Sequence, residues 1–572
     1  MTDGIAYIED LINQGRYFEA RAKAALLLPD SESLRTKQLY ALSMSKCGLP
    51  EAAMEYLESV YNQFPDDPET AGILGGIYKE LFIKTKNQHY AVLSRDTYLK
   101  NFTSTKSYYT GINAASISVI SGQSKQGQRI ASEVIQLLEG SSNNFWVTAT
   151  LAEAFLISKE RTKSKEYYLM ARDLAFTDWG KIGSVYNQLW LLNHYMSVPD
   201  ELLKIFKPPV IAAFVGHMID APGRRESRFP ASIESKVKEA LIRTVTSQNI
   251  KIGYCSLACG GDILFAEAIE ETGGEVNIFL PFAEADFLEV SVRFAGDQWV
   301  ERFDRLIKKF PVSFVTTDPY AGYDDLFFLQ SGILFGSAVL RSAATHNKPH
   351  LLTVLSGRDL ERKEGGTRDT LMLWPYPDNI FKIDPDNFNV LPQSIVSPSK
   401  SPDHGRNKNR PVSYILAADL PNAVPSESEA FWKAIQRKIE TESSLPVGLV
   451  LSSESILAAY NSLSGVIELC HILLNAVNFY KKDNIRISLH TGPVTLAADG
   501  EVIGKKVEGS SVKILQQLRQ NSAPGGIYAS SHISSELALE IDKYSIDYVG
   551  KFLPEGQLQV QEIFKIGFVK GA

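Results

Sequence analysis

"GSSVKILQQLRQNSAPGG", residues 509–526, runs from a glycine and a polar pair through a short amphipathic helix into an Ala-Pro-Gly turn, and the strand "GIYASS" follows. Reading outward, "IRISLHTGPV" (485–494) is a strand. Before it come the strand "VSYILAAD" (412–419), a helix from about Glu427, the strand pair in "GLVLSSESILAAY" (448–460) and a helix through "GVIELCHILLNAVNFYKK" (465–482). Strand, helix, two strands, helix and strand in this order predict a ferredoxin-like palm. Such a palm can hold two carboxylates on adjacent strands, where they bind Mg²⁺ and the metal aligns a triphosphate.

Upstream, "LPQSIVSPSKSPDHGRNKNRP" (391–411) is rich in Pro, Ser and basic residues without periodicity, and reads as a flexible tether. The region before it, 208–390, alternates short buried-strand runs with helices. The strands are "VIAAFVGH", "IKIGYCSLA", "EVNIFLPF", "VSFVTT" and "HLLTVLSG". The helices include "ASIESKVKEALIRTVTSQ", "GDILFAEAIEET" and "DLFFLQSGILFGSAVLRSAATHN". The pattern predicts a doubly wound parallel sheet, in which ligands bind beyond the carboxyl ends of the strands where strand order reverses.

Three segments fall at such strand ends: "FVGHMIDAPGRRESRFP" (214–230), "CGGDILFAE" (259–267) and "GRDLERKEGGTRD" (357–369). Gly260 and Gly261 at a helix start favour a phosphate through backbone N–H groups and the helix dipole. Arg224, Arg225 and Arg228 add bidentate cationic contacts. Each feature also has a local reading: a tight turn at the Gly pair, a strand cap at Gly216-His217, and a helix cap at Asp262.

In the first 205 residues, "GRYFEARAKAALLLPDSESLRTKQLYALSMSKCG" (15–48) is followed by "GLPEAAMEYLESVYNQFPDDPETAGILGGIYKEL" (48–81). Gly15 and Gly48 stand about one tetratricopeptide repeat of ~34 residues apart. Ala20, Ala52 and Gly75 are expected to let paired helices approach closely, with a third unit in "SKEYYLMARDLAF" (164–176). "FKPP" (206–209) ends the helices.

With 572 residues the chain exceeds a single core. Its net charge of −7 argues against a nucleic-acid binder. Four cysteines do not make a disulfide scaffold, and Cys255 and Cys259 read as buried thiols. The acidic N-terminal stretch is unlike a signal peptide, and no apolar stretch approaches the ~20 residues needed to cross a bilayer. A cytoplasmic protein without membrane partners is expected.

Three resemblances add to this. "YYTGINAASISVISG" (108–122) and "NFWVTATLAEAFLI" (144–157) resemble the helical TRAF-binding region of some stress-activated MAP kinase kinase kinases, which recurs in bacterial signalling proteins. That implies a scaffold for protein partners over residues 1–205. "VGH" and "GYCSLACGGDILFAEAIEETGGEVNIFLPF" (253–282) resemble the SLOG superfamily, a Rossmann-like group that binds nucleotides or nucleotide-derived signals. The resemblance places Gly216, Gly260, Gly261, Asp262 and Glu267 in a phosphate-loop region with Gly365, Gly366 and Thr367 on the opposite lip, and the strand-end reading adds His217, Arg224 and Arg228 to the expected nucleotide-binding residues. The longer Pro-Gly-Gly loop and following Glu of its hydrolase subgroup are missing from the sequence, which leaves binding as the implication.

Residues 412–570 resemble the class III adenylate/guanylate cyclase catalytic domain, chiefly through "IRISLHTGPV" and the stretch from Gly509. The resemblance implies metal positions at Asp419 and Glu454, with Mg²⁺ or Mn²⁺ accompanying a nucleotide. It implies purine-reading positions at Val450 and Lys506 and a transition-state pair at Lys513 and Gln517. Valine cannot donate to a ring nitrogen, and lysine cannot accept from an exocyclic amine. The family's Asn and Arg are replaced at 513 and 517, and losing one such donor costs about 10²–10³ in rate. A register that puts Glu508 at the amide position is no more catalytic. Lys505, Lys506 and Lys513 leave a basic lip for a phosphate, and His490 reads as structural.

The expected whole is a multidomain sensor: a helical repeat, a SLOG-like α/β domain binding a nucleotide-derived ligand, and a palm degenerate in catalysis that pairs two copies. The alternatives are a divergent nucleotide cyclase and a nucleotide or NAD hydrolase centred on the α/β domain.

Overall fold

The computed structural model describes residues 2–29, 33–141, 144–176, 178–224, 227–322, 324–357, 370–388, 412–421, 424–441, 444–481, 484–496, 506–555 and 559–569. The tether at 391–411, Arg225, Lys505 and the lip at Gly365, Gly366 and Thr367 lie outside these residues. The chain divides into two compact units, Met1–Pro208 with Val549–Phe552, and Pro209–Tyr548 with Leu553–Ala572.

The first unit is built of helices α1–α12: Thr2–Asn13, Tyr17–Leu27, Leu34–Lys46, Pro50–Gln63, Pro68–Thr85, Gln88–Thr105, Tyr108–Ile120, Ser124–Leu138, Phe145–Ile157, Arg161–Ala175, Trp179–Asn193 and Asp200–Phe206. Each helix packs on its neighbours in sequence, as in a solenoid. The turn inside successive pairs carries a left-handed residue: Gly15 (φ 77°), Gly48 (φ 81°), Lys86 (φ 56°), Gly122 (φ 82°) and Lys159 (φ 65°). That backbone requirement explains the recurring glycine in the sequence. The expected unit at 164–176 is α10, the second helix of a pair begun by α9, so the repeats continue without a break in kind.

Gly75 lies under the Tyr98 ring, where a Cβ would stand 2.6 Å away. Ala52, expected to be a contact residue, is exposed; Ala53 is the buried one, in line with Leu57 and Val60 on the inner face of α4. Nothing lies within 4 Å of a Cβ on Gly122. Gly122→Ala therefore isolates the dihedral strain, and a loss of about 1 kcal/mol is expected in denaturant titration.

A hydrogen-bonded chain ties four odd-numbered helices of this unit together. Lys79 Nζ on α5 donates to Gln188 Oε1 on α11 at 2.8 Å, and Gln188 Nε2 donates to Glu153 Oε1 on α9 at 2.7 Å. The Ser116 hydroxyl on α7 donates to the same carboxylate. Burial pushes the Glu153 pKa up and the Lys79 pKa down.

In the second unit, β1 (Val210–Gly216), β2 (Ile250–Cys255), β3 (Glu275–Leu280), β4 (Val312–Phe314), β5 (His350–Val354) and β6 (Ile380–Ile383) form a parallel sheet in the order β4-β3-β2-β1-β5-β6. Strand order reverses between β1 and β5. The covering helices are α13 (Glu234–Ser247), α14 (Gly261–Glu271), α15 (Glu284–Ser291), α16 (Asp297–Lys309) and α17 (Asp325–Ala343). Phe214 and Phe265 lie in the core on one face, and Ile211, Tyr254 and Phe335 in the core on the other. Burial on both faces is why the strands read as unbroken apolar runs.

The palm follows with β7 (Val412–Asp419), α18 (Pro425–Thr441), β8 (Gly448–Leu451), β9 (Ser455–Tyr460), α19 (Leu463–Tyr480), β10 (Arg486–Pro493), the β11 (Thr495–Leu496) and β12 (Val507–Glu508) pair, α20 (Ser510–Asn521), β13 (Gly526–Ser530), α21 (Ser531–Ala538), β14 (Tyr544–Phe552) and β15 (Gln561–Phe568). Its main sheet is ordered β14-β15-β13-β10-β7-β9-β8, and β7 is antiparallel to both its neighbours. The run β10-β7-β9-β8 has the ferredoxin-like arrangement. α18, α19 and α21 pack on one face, while Val512 and Leu515 of α20 pack on the other.

α17 and α19 are long and apolar enough to cross a membrane, against the expectation that no stretch would be. α17 buries most of its side chains in the fold, and α19 is two-faced, with His471, Asn475 and Asn478 exposed. The palm docks on the parallel-sheet domain through α17 and α21. Gly336 meets the Ser535 backbone so closely that a Cβ would overlap its carbonyl, and Ser337 Oγ lies 3.0 Å from Ser535 Oγ. Leu340 packs against the palm core.

Candidate functional site

At the crevice between β1 and β5 strand-end polar groups of the protein pair with one another. The His217 backbone N–H donates to Val354 O at 2.9 Å, and the Ser356 N–H donates to His217 Nε2 at 3.3 Å. The loops after β1 and β2 are stitched together: Gly261 N–H donates to His217 O at 3.0 Å and Ile219 N–H to Cys259 O at 3.1 Å. Gly260 has φ 100°, and a Cβ there would overlap the Ile219 backbone. These glycines serve the close approach of two loops, and the first amide of α14 is engaged within the protein.

The other residues expected near a phosphate are dispersed. Asp220 organises the loop after β1 by accepting from the backbone amides of Arg228 and Phe229, with Arg224 Nε 3.5 Å from its carboxylate. Glu267 points from α14 toward α13 and α16, where Arg302 grips it at 2.7 and 2.8 Å and Lys238 Nζ lies 3.1 Å away. Arg302 and Lys238 hold the Glu267 carboxyl below its ordinary pKa against the opposing effect of burial. The structure thus brings Gly216, His217, Gly260, Gly261 and Asp262 together and sets Glu267 apart.

Beside that stitched corner lies a cavity of about 330 Å³, bounded by the ends of β1 and β2 and by α14, α15 and α17. Phe214, Phe287, Phe327 and Phe335 line it, Met218 stands at 43% exposure, and Asp262 contributes a carboxyl. Asp262 is buried, and that burial raises its pKa to about 7 against the opposing pull of the nearby Ser256 and Asp262 backbone amides. Of these residues the sequence reading singled out only Asp262. The close aromatic spacing in "DLFFLQSGILFG" was the available signal for the α17 wall.

Burial raises the pKa values of the Cys255 and Cys259 thiols, the latter to about 12, so both are inert packing groups as expected.

In the palm, Asp419 ends β7 directly across from Arg486, the first residue of β10. Arg486 Nε donates to Asp419 Oδ1 at 3.0 Å and its Nη2 to Oδ2, so both carboxylate oxygens are bound by one guanidinium. Glu454 is exposed at the β8–β9 turn. Among the described residues no group of three or more His, Cys, Asp or Glu is arranged to hold a metal ion. An Asp already neutralised by a guanidinium does not fit a Mg²⁺ or Mn²⁺ site.

Lys513 is exposed on α20, and Lys506 and Val450 are exposed as well. Gln517 Oε1 accepts from the Glu555 backbone N–H at 2.7 Å, so its amide anchors a loop. His490 is fully buried, with Nδ1 2.7 Å from Ser530 Oγ and its ring 5.2 Å from that of His532.

Residues 16–118 match the model of the Tetratricopeptide Repeats-Sensor family. No curated protein matches the chain. Among solved structures it is similar to a thermophilic TPR protein of Thermus thermophilus, at 14% identity over 33% of this chain and 98% of that one, TM-score 0.28. It is also similar to an adenylate/guanylate cyclase/hydrolase from Silicibacter pomeroyi, at 17% identity over 28% and 99%, TM-score 0.24. A third similar structure is the adenylyl cyclase CyaB from P. aeruginosa, at 12% identity over 28% and 96%, TM-score 0.23. The family match carries the repeat reading of the helical unit between residues 16 and 118.

Proposed function

We propose that this protein is a signalling sensor and scaffold. The parallel-sheet domain takes a nucleotide-derived small molecule in the cavity beside α17, the helical repeats hold protein partners, and the palm serves regulation and pairing of two copies without catalysis. One observation carries the sensing role: α17 is shared. Phe327, Gln330, Ser331, Leu334 and Phe335 form a cavity wall, while Gly336, Ser337 and Leu340 of the same helix bear on the palm. A ligand that shifts α17 must move the palm contact with it, because close-packed helices do not deform independently.

The non-catalytic role rests on Asp419 being held by Arg486, on Gln517 being spent on Glu555, and on the lack of a base-reading donor at Val450. Two measurements on the full chain test the proposal. Ser331→Phe, which fills the cavity from α17, is expected to change amide hydrogen exchange across residues 531–538. Unchanged exchange there would remove the sensing role. Incubation with Mn²⁺ and each of the four nucleoside triphosphates is expected to give no cyclic nucleotide, and product that vanishes in Asp419→Ala would make the palm an enzyme.

A further inference from the structure

The chemistry of the cavity narrows what it can hold. Its walls are largely apolar, with Phe at four places, and among the described residues lining it none is Lys, Arg or His. Among the described residues that line it the single ionisable group is the Asp262 carboxyl, set beside a helix start whose first amide, Gly261 N–H, is bonded to His217 O. Cys259 N–H nearby is bonded to Ser291 O. Among the described residues that line this space a phosphate would meet a carboxyl and no cation, with only serine hydroxyls to replace its lost hydration.

A flat uncharged ring meets the opposite situation. Phe214, Phe287, Phe327 and Phe335 offer faces and edges for stacking. Asp262, Ser256 and Ser331 supply hydrogen-bonding groups at fixed points of the wall. Gln330 spends its amide N–H on Phe279 O at 3.1 Å, which locks its side chain in place. A volume of about 330 Å³ is at the small end of ligand sites, suited to one ring system with a modest substituent.

We propose that this cavity binds an uncharged heteroaromatic base, free or as its nucleoside, by the ring and not by a phosphate. The inference rests on the sensing role proposed above and specifies its ligand. Near neutral pH the Asp262 carboxyl exchanges between donor and acceptor forms, so it can complement either a ring nitrogen or a ring N–H.

The test is calorimetry of the full chain against adenosine, guanosine, cytidine and uridine, the corresponding 5′-monophosphates, and inorganic phosphate. At least one nucleoside is expected to bind within about threefold of its monophosphate or more tightly, without competition from phosphate. Phe327→Ala and Ser331→Phe are each expected to weaken that binding by at least about tenfold, a change of about 1.4 kcal/mol. Met218→Trp, at an exposed position that leaves the core intact, should weaken it as well by narrowing access. A monophosphate that binds more than about tenfold tighter than every nucleoside and is displaced by phosphate would overturn the ring-only class while keeping a ligand-sensing domain. If nothing in the panel binds, the proposed ligand class is wrong. If Ser331→Phe also leaves exchange in 531–538 unchanged, the sensing role fails with it.

Discussion

Gly336→Val is expected to separate the palm from the parallel-sheet domain. The space a side chain needs at this position is occupied by the backbone of Ser535, which belongs to α21 and is held there by the palm core through Ile533 and Leu537. A backbone carbonyl cannot swing aside as a side-chain tip can, so one helix must withdraw. Overpacking of a tight core costs about 1–3 kcal/mol and more where backbone is struck, so a loss of at least about 3 kcal/mol is expected. The change should be visible as faster hydrogen exchange in both 325–343 and 531–538, with β2 and β3 spared. Gly332→Ala, one helical turn earlier, is the control. The nearest atom to a Cβ there is Glu536 Cγ at 3.7 Å, so alanine fits and should gain up to about 1 kcal/mol from helix propensity. Equal destabilisation by both substitutions would mean that the seam between α17 and α21 is not the contact that holds the palm.

That seam was hidden in the sequence, although the elements forming it were not. The strands of the parallel sheet declare themselves because burial on both faces leaves no alternation in "VIAAFVGH" or "HLLTVLSG", and the turn glycines Gly15 and Gly48 declare the repeat because a left-handed turn admits few other residues. β6, α15 and α16 were missed: "IFKI" is four residues long, and α15 begins straight after the Pro-Phe end of a strand run. At the candidate site, residue type was legible and partner was not. Gly260-Gly261 looks like a phosphate turn until His217 O is seen to take the first amide. Glu267 looks like a site residue until Arg302 and Lys238 enclose it. Asp419 looks like a metal ligand until β7 and β10 align it with Arg486. Each of these partners is distant in sequence, where local pattern carries no information about pairing.

Acid should act on the palm through two imidazoles in opposition to a carboxyl. Burial pushes the His532 pKa down to about 4 despite two backbone carbonyls, those of Thr491 and Phe314, that favour its charged form; burial together with the neighbouring His532 pushes His490 well below its ordinary value. Unfolded, both titrate near 6.5, so between pH 6.5 and 4 the unfolded chain binds more protons and stability falls as pH falls. For His532 the full loss is about 3 kcal/mol. Glu536 on α21, bonded by the Tyr414 hydroxyl at 2.7 Å, is raised to about 7 by burial. Its linkage runs the other way: between its ordinary value and pH 7 the folded chain binds more protons, so stability rises as pH falls, by a similar amount. Asp262, also raised to about 7, adds to the carboxyl side. The unmodified protein can therefore show a shallow stability profile that conceals two steep ones, and only variants separate them. His532→Gln should gain about 3 kcal/mol relative to the parent as pH falls from 6.5 to 4, whereas Glu536→Gln should gain a similar amount relative to the parent as pH rises from 5 to 8. Because His532 also touches the Phe314 backbone at the end of β4, the acid-induced change should loosen the palm's hold on the parallel sheet before the sheet itself unfolds. Paired denaturant titrations at pH 4, 5, 6.5 and 8 measure both slopes, and parallel profiles for the two variants would mean that neither group is held in the protonation state its burial dictates.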